Sequence, residues 1–548
     1  MRRTFFSLIL LTAFVLNSAI FGQVNVTVTP AEKKIAEGVT ADQMRNYLYF
    51  VASDEMEGRD TPSRGLDTTA KFIAMNLKSW GFKPAGDDGT FFQKIDLIRY
   101  KVNTSSTKAT IAGQSLAWGT DFFSSANAGS TSNAQMVFGG NGWMVKSKNL
   151  APLSGLDVKG KVVVVMADNT PRGMNFQQLR ASGQQGTDWA DPVTYAKQNE
   201  AAGLILLSTS NTTANWDRLR RQRETGGGYF VEKLRDKPDG VPVITLSQKA
   251  SEALMSGENA DMAKLADIYK GSDALPSFAM SVAKTASISV NTDSDKAKTQ
   301  NVVAIWEGSD PVLKKEMVAI GAHYDHVGTN PNANGSDKIW NGADDDGSGT
   351  VAVLSIAEAL AKAPKRPKRS VLFVWHCGEE KGLWGSEYFN KFPTVDIKNV
   401  ISQLNIDMIG RSRKPDNTDP RNKDLTDENS VYVIGSVMMS STLGSIVDGT
   451  NSAYLKLGYD KKYDDPKDTN RFFFRSDHFN YAVNGIPITF WFDGVHEDYH
   501  QPGDEPQKID YDKMEKVART ILITLLELTE LKERPKIDKQ LPPELTQR

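Results

Sequence analysis

The sequence predicts an α/β architecture: a mixed, mostly parallel sheet flanked by helices, with a smaller α+β domain inserted into it. Three observations carry this. From Asn301 onward, apolar strand-like runs alternate with helical periodicity, the rhythm of a parallel sheet. Between about Ser105 and Val290 the texture changes to short β runs, turns and one or two helices. Finally, 548 residues exceed what one hydrophobic core accommodates, so two or three domains are expected.

The first element is "MRRTFFSLILLTAFVLNSAIFGQ". Arg2 and Arg3 precede an apolar run, Phe5 to Leu16, and Ser18, Ala19 and Gly22 follow it. This is the layout of a secretory signal peptide over residues 1–22. The chain is therefore expected to be exported, to a periplasm or the medium. No cysteine follows the run, and no later segment is long and apolar enough to span a membrane, so no stable membrane anchor is expected. A net charge of −2, with 39% hydrophobic and 24% charged residues, describes an ordinary globular protein. It lacks the basic surplus that nucleic-acid binding requires. Cys377 is the only cysteine, which excludes an intramolecular disulfide and leaves the core or metals to hold the fold.

Residues 30–104 read as helical where "ADQMRNYLYFVASDEMEGRD" and "LDTTAKFIAMNLKSWGF" space apolar side chains by three and four. The insertion, 105–290, carries the strands "GKVVVVMAD" and "GVPVITLS", the helix "QKASEALM", and a helix ended by Gly203 within "PVTYAKQNEAAGLILLS". "RRQRETGGGY" reads as a mobile charged loop, and "NTDSDKAKTQ" as a domain boundary. The third region, 295–535, supplies the strands "EMVAIGAH", "SVLFVWHCGEE", "NVISQLNIDMIG", "NSVYVIGS" and "IPITFWFDG". Its helices are "TVAVLSIAEALAKA" and "DYDKMEKVARTILITLLELTELK". The tail, 536–548, reads as loose.

All six histidines lie between His323 and His500. In open α/β sheets, ligands gather at the carboxyl ends of the strands. Those ends here carry His323 and Asp325 in "GAHYDH", the turn "NGADDDGSGT", Glu379 and Glu380 in "GEE", Asp407 in "NIDM", and His500 in "DYHQPGDE". These are the oxygen and imidazole donors that zinc accepts. A lone strand-end histidine or aspartate is usually a satisfied polar group or a cap; the joint occurrence at successive strand ends overturns that reading.

Three consecutive aspartates in one turn need a reason. An EF-hand loop is excluded, because with Gly347 at its sixth position Gly342 and Val353 would fill the first and twelfth. Charge bookkeeping favours two cations: three carboxylates and two neutral histidines bring −3, two zinc ions and a hydroxide offset it, and one zinc leaves a costly surplus. One aspartate of the triplet then bridges the pair. "HEDYH", His496 to His500, matches a single-zinc protease motif. That motif works only on a helix, and Gly494, Pro502 and Gly503 argue against one. Cys377 reads as a buried core thiol rather than a nucleophile.

The set of motifs resembles the co-catalytic di-zinc aminopeptidases, a family that also includes glutamate carboxypeptidase-like members. The likeness covers most of Asn301 to Leu531, and implies the zinc-exopeptidase type of α/β fold. "MVFGGNGW", "LDVKGKVVVVMAD", "AKQNEAAGLILLS" and "GVPVITLS" resemble an inserted protease-associated (PA) domain. Carried over by position, the resemblance implies two Zn2+ per chain. His323 and Asp407 would hold one, Glu380 and His500 the other, and Asp345 would bridge them. It also implies a cis peptide bond between Asp345 and Asp346. Asp325 would orient His323, Glu379 would be the general base, and Tyr499 would polarise the scissile carbonyl. "RSDHFNYA" makes Arg475, Asp477 and His478 candidates for the substrate's surroundings. The implied activity is removal of N-terminal residues from peptides. Carboxypeptidase or dipeptidase action, a glutaminyl cyclase of the same fold, and a binding module with structural metals are the rivals. Cyclases of this fold use one zinc, and a binding module has no need of Glu379.

Overall fold

A computed structural model describes residues 26–167 and 170–546. The signal-peptide segment, 1–22, lies outside the described residues. The chain divides into two compact units, one built from the chain up to Ile95 and from Lys298 onward, the other from Asp96 to Ala297. The insertion is thus wider than the 105–290 expected. The reason is that strands β1 (Phe92–Val102) and β2 (Thr292–Trp306) run straight through both boundaries, so no turn marks them. "NTDSDKAKTQ", expected to mark a domain boundary, does hold the one between Ala297 and Lys298, and it lies almost wholly in β2. Its polar residues occupy the exposed half of that strand, where Asp295 takes Arg99 at 3.0 Å and Lys101 at 3.2 Å.

In the larger unit, β3 (Met317–His323), β4 (Ser370–His376), β5 (Val400–Ile406), β6 (Ser430–Ile434), β7 (Gly458–Asp460) and β8 (Ile488–Phe492) extend the sheet. The order is β1-β2-β4-β3-β5-β8-β6-β7. The inner four, β4-β3-β5-β8, are mutually parallel, whereas β2 and β6 close on them antiparallel. The inner strands are buried along their whole length, which is why they read as continuous apolar runs rather than alternating ones. Parallel pairing in register sets His323 beside His376, so the ends of β3, β4, β5 and β8 open on one edge of the sheet.

Helices cover the faces. α1 (Arg64–Ser79) buries Leu66, Ala70, Ile73 and Leu77 at helical spacing and is capped by Ser63, whose hydroxyl accepts the Leu66 N–H. α2 (Gly349–Lys362) is buried nearly all round, and α3 (Tyr511–Glu530) is capped by Asp510. The tail is not loose: Leu545 is buried and packs with Leu541 into the core, while Asp538 accepts the Ser441 N–H at 2.9 Å. The polar spelling of the tail conceals those two leucines.

The smaller unit has its own sheet. Val162–Val165, Gly203–Leu206 and Val243–Leu246 lie parallel beside Gly129–Gly139, with Phe122–Ser124 antiparallel at one side. The "RRQRET" stretch is not a loop but the end of a helix, Trp216–Thr225. Trp216 anchors it against Phe123, ring to ring at 4.7 Å, and donates to the Gly119 carbonyl. The helix before Gly203 ends earlier, at Gln198, and Gly203 begins the next strand. Among the described residues no helix is long and apolar enough to cross a membrane.

Candidate metal centre

The strand ends converge as the sequence predicts. His323 closes β3, Glu379 and Glu380 follow β4, Asp407 follows β5, and His500 lies on the loop after β8. Asp345 comes from the turn that opens α2. Its carboxylate has one oxygen on each side of the centre: Oδ1 is 3.4 Å from His323 Nε2, and Oδ2 is 3.1 Å from His500 Nε2. Asp407 Oδ2 lies 3.6 Å from His323 Nε2, and Glu380 Oε2 lies 3.1 Å from His500 Nε2. Glu379 lies beside the first group, 4.0 Å from His323 Nε2.

The three aspartates have different work. Asp344 Oδ1 accepts the Gly410 N–H at 2.7 Å, and its Oδ2 is 3.3 Å from His496 Nε2. Asp346 Oδ1 accepts from Gly349 and Met408, and its Oδ2 accepts the His323 N–H. Asp345 alone of the three sets its two oxygens against histidines on both sides of the centre. The turn around it is held by Asp504, whose carboxylate accepts the N–H groups of Asp344 and Asp345. The Asp345–Asp346 peptide is cis. Gly342 enters the turn at φ +59°, where a Cβ would stand 2.4 Å from both the Asp345 carbonyl and the His326 ring, so no other residue fits.

Beneath the acidic turn lies Arg59, fully buried. Its guanidinium donates to the carbonyls of Val51, Tyr324, Asn341 and Gly342 at 2.7–2.9 Å, tying the N-terminal helical region to two strand-end loops. Burial lowers its pKa to about 10, with Asp325, Asp504 and Asp345 opposing. It therefore remains a cation under the aspartates.

Asp325 acts differently from the expectation. His323 Nδ1 meets the main-chain carbonyl of Asp325 at 3.2 Å, whereas the carboxylate is 3.7 Å away and instead accepts the Glu379 N–H at 3.1 Å. The backbone thus fixes the His323 ring and leaves Nε2 for the centre, while the carboxylate positions Glu379. Tyr499 stacks on His500 at 4.0 Å and receives a hydrogen bond from Arg475 at 3.2 Å. Burial and Asp345 raise its phenol, so it keeps its proton to donate.

Two of the candidates around the substrate are closed off from touching it and can act only by supporting other residues. Asp477 and His478 are completely buried. His478 stacks on Phe490 in the core, and Asp477 faces His376 Nδ1 at 3.4 Å. Their apolar neighbours Phe473, Phe474 and Phe479 turn this segment inward, which leaves Arg475 as its exposed member. "HEDYH" forms a turn, with Tyr499 N bonded to His496 O, and its histidines part: His496 backs Asp344 while His500 faces Asp345 and Glu380. Cys377 is buried, which pushes its thiol well up and leaves it unreactive. Sequence reasoning also passed over His326, Arg59 and Asp504, whose partners lie far from them in the chain.

The arrangement fits divalent cations. Tetrahedral zinc with nitrogen and oxygen ligands sets neighbouring donor atoms ~3.3 Å apart. The pairs above fall at 3.1–3.6 Å. His326 Nδ1, Asp345 Oδ2, Glu380 Oε1 and His500 Nε2 are buried with no hydrogen-bond partner, so their lone pairs call for a cation to satisfy them. The potential is strongly negative. Burial opposes charge on both imidazoles, yet Asp407 and Glu379 raise His323 well above its usual range, and Asp345 and Glu380 hold His500 up at about 10. Burial, opposed by His323 and reinforced by Glu380 and Asp407, pushes the Glu379 carboxyl well above the usual carboxylate range.

Comparison with known proteins finds similarity chiefly in the C-terminal half of the chain. Residues 301–525 match the model of peptidase family M28. The leupeptin-inactivating enzyme 1 of Streptomyces exfoliatus is 35% identical over 118 residues, 21% of this chain and 24% of that protein. An aminopeptidase of Pseudomonas aeruginosa (strain UCBPP-PA14) is 38% identical over 211 residues, 38% of this chain and 30% of its own. The chain spans between 21% and 59% of the length of the curated relatives it matches. Among solved structures, the aminopeptidase from Aneurinibacillus sp. strain AM-1 aligns with 94% of this chain and 98% of its own at 17% identity and a TM-score of 0.47. The likeness to peptidase family M28 thus spans residues 301–525, the stretch that holds all the donors of the centre.

Proposed function

We propose that this protein is an exported metallo-aminopeptidase with a two-zinc centre, releasing N-terminal residues from peptides. One observation carries the reading: a single carboxylate, Asp345, offers one oxygen to the His323–Asp407 side and the other to the His500–Glu380 side. Glu379 lies 4.0 Å from His323 Nε2. His323 and Asp407 would hold one zinc, Glu380 and His500 the other, with Asp345 shared. When bound, the pair supplies Lewis-acid chemistry and brings the pKa of a bound water toward neutrality. Glu379 takes the proton of the attacking water and returns it to the departing amine. Asp325 holds the Glu379 main chain in place, and the Tyr499 phenol donates to the carbonyl oxygen as negative charge grows there. The M28 match and the aminopeptidase relatives support this reading. The N-terminal layout supports export, and the strand motifs of the insertion support a protease-associated unit.

The test is mass spectrometry of one peptide in three forms: free N-terminus, N-acetylated, and starting with glutamine, each with and without chelator. Stepwise, chelator-sensitive loss of residues from the free N-terminus alone is expected. Loss from the C-terminus would make the enzyme a carboxypeptidase. Loss of ammonia without cleavage would make it a glutaminyl cyclase, and no change would return it to a binding module.

A further inference from the structure

His326 is the last histidine of "GAHYDH" and has no part in the set described so far. It is completely buried. Its Nδ1 lies 3.0 Å from Glu380 Oε1 and 3.7 Å from Asp345 Oδ2. At 3.0 Å a hydrogen bond to Glu380 would be expected, yet neither His326 Nδ1 nor Glu380 Oε1 makes one, and His326 Nε2 makes none either. The atoms are close without pointing at each other. Two donors that aim at a common third point have this geometry. The third point is shared: one ligand atom each from His326, Asp345, Glu380 and His500 all lie within 4.8 Å of one another. The His326 and His500 rings meet edge to face at 5.6 Å, so neither blocks the other. Gly342 clears room for the ring, since any Cβ there would overlap His326 Cγ.

We propose that His326 is a fourth protein ligand of the metal held by Asp345, Glu380 and His500, coordinating through Nδ1. The two positions then differ. The His326 position has four protein donors, the number that closes a tetrahedral zinc site. The other has three, His323, Asp345 and Asp407, and keeps the open position that catalytic zinc retains. The His326 position binds first and tightly; the other exchanges more readily and is where water and substrate enter. This rests on the two-zinc reading above.

The experiment is metal content of the full-length protein after dialysis against increasing chelator, for the wild type and His326→Ala. The wild type is expected to lose one zinc at low chelator and the second at high chelator. In His326→Ala the tight zinc should weaken by at least about 100-fold, and both should leave together. Melting of the metal-free proteins separates coordination from packing: equal metal-free melting with a smaller zinc-induced rise supports the proposal. A lower metal-free melting point with the wild-type zinc retention overturns it. If His326→Ala does not fold, cobalt-loaded His326→Cys decides, because a thiolate-to-cobalt charge-transfer band appears only if position 326 touches the metal; its absence overturns the proposal. Wild-type protein that binds no zinc would instead overturn the reading of the whole centre.

Discussion

The two units share a device and use it for opposite ends. Each has parallel strands whose carboxyl ends carry polar residues. In the smaller unit those residues are hydroxyls, and the helices consume them: Thr209 accepts the Thr212 N–H, and Ser247 accepts the Ala250 N–H. In the larger unit the ends carry His323, Glu380 and Asp407, and the backbone satisfies their neighbours instead. Asp344 and Asp346 take amide hydrogens, Asp504 braces the turn, and Asp325 steadies Glu379. The difference teaches that a parallel sheet provides only an address for chemistry. A centre appears where the strand-end side chains are left unspent by local capping.

Substitutions can break this comparison. The largest effect is expected from Asp345→Ala, which removes the shared carboxylate: elemental analysis should find zinc lost and turnover reduced by several orders of magnitude. Retained zinc would end the bridging role. Glu379→Gln should keep its metal and lose about 10²–10⁴ in turnover, the usual worth of a general base; near-normal turnover would remove Glu379 from the chemistry. Tyr499→Phe, which keeps the ring on His500 and deletes only the donor, should lower kcat by about 10² with little change in KM.

A smaller effect reports on the core beside the centre. Burial pushes His478 down to about 3, below the ordinary 6.5 of the unfolded chain. The unfolded state therefore binds the proton first. Stability is complete above pH 6.5 and falls toward pH 3 at about 1.4 kcal/mol per pH unit from this group. His478→Phe should flatten that slope in denaturant titrations between pH 6.5 and 4; an unchanged slope would mean that other groups set it. The smallest effect belongs to the other unit. Ser247→Ala removes a cap and should cost about 1 kcal/mol there, leaving zinc content and kcat/KM unaltered. A change in either would show that strand-end residues of the smaller unit do reach the chemistry.

Much of this was legible in one dimension. Continuous apolar runs betrayed the inner strands because burial on both faces removes alternation. The donors His323, Asp407 and His500, the aspartate triplet and the Glu379–Glu380 pair were legible because each follows such a run, or opens the helix after one, and the sheet must bring those ends together; the choice of Asp345 and Glu380 within their groups came from the family resemblance. Other features were not. "RRQRET" read as a loop because its helix is polar and is anchored through Trp216, outside the quoted stretch. "NTDSDKAKTQ" was legible as a boundary but not as part of a strand, because the exposed half of that strand is polar.

What the sequence determined by itself is chemistry and order: which donors exist, which strand each follows, and that three aspartates need a counter-charge. What only the tertiary structure decided is allocation. It spends Asp344 and Asp346 on amides and frees Asp345. It buries Asp477 and His478, places Arg59 under the turn, and brings His326 Nδ1 within 3.0 Å of Glu380. The physical reason is that a polar group's role depends on whether its lone pairs or protons are already satisfied. Here the satisfying groups lie as far away as the 283 residues that separate Arg59 from Gly342.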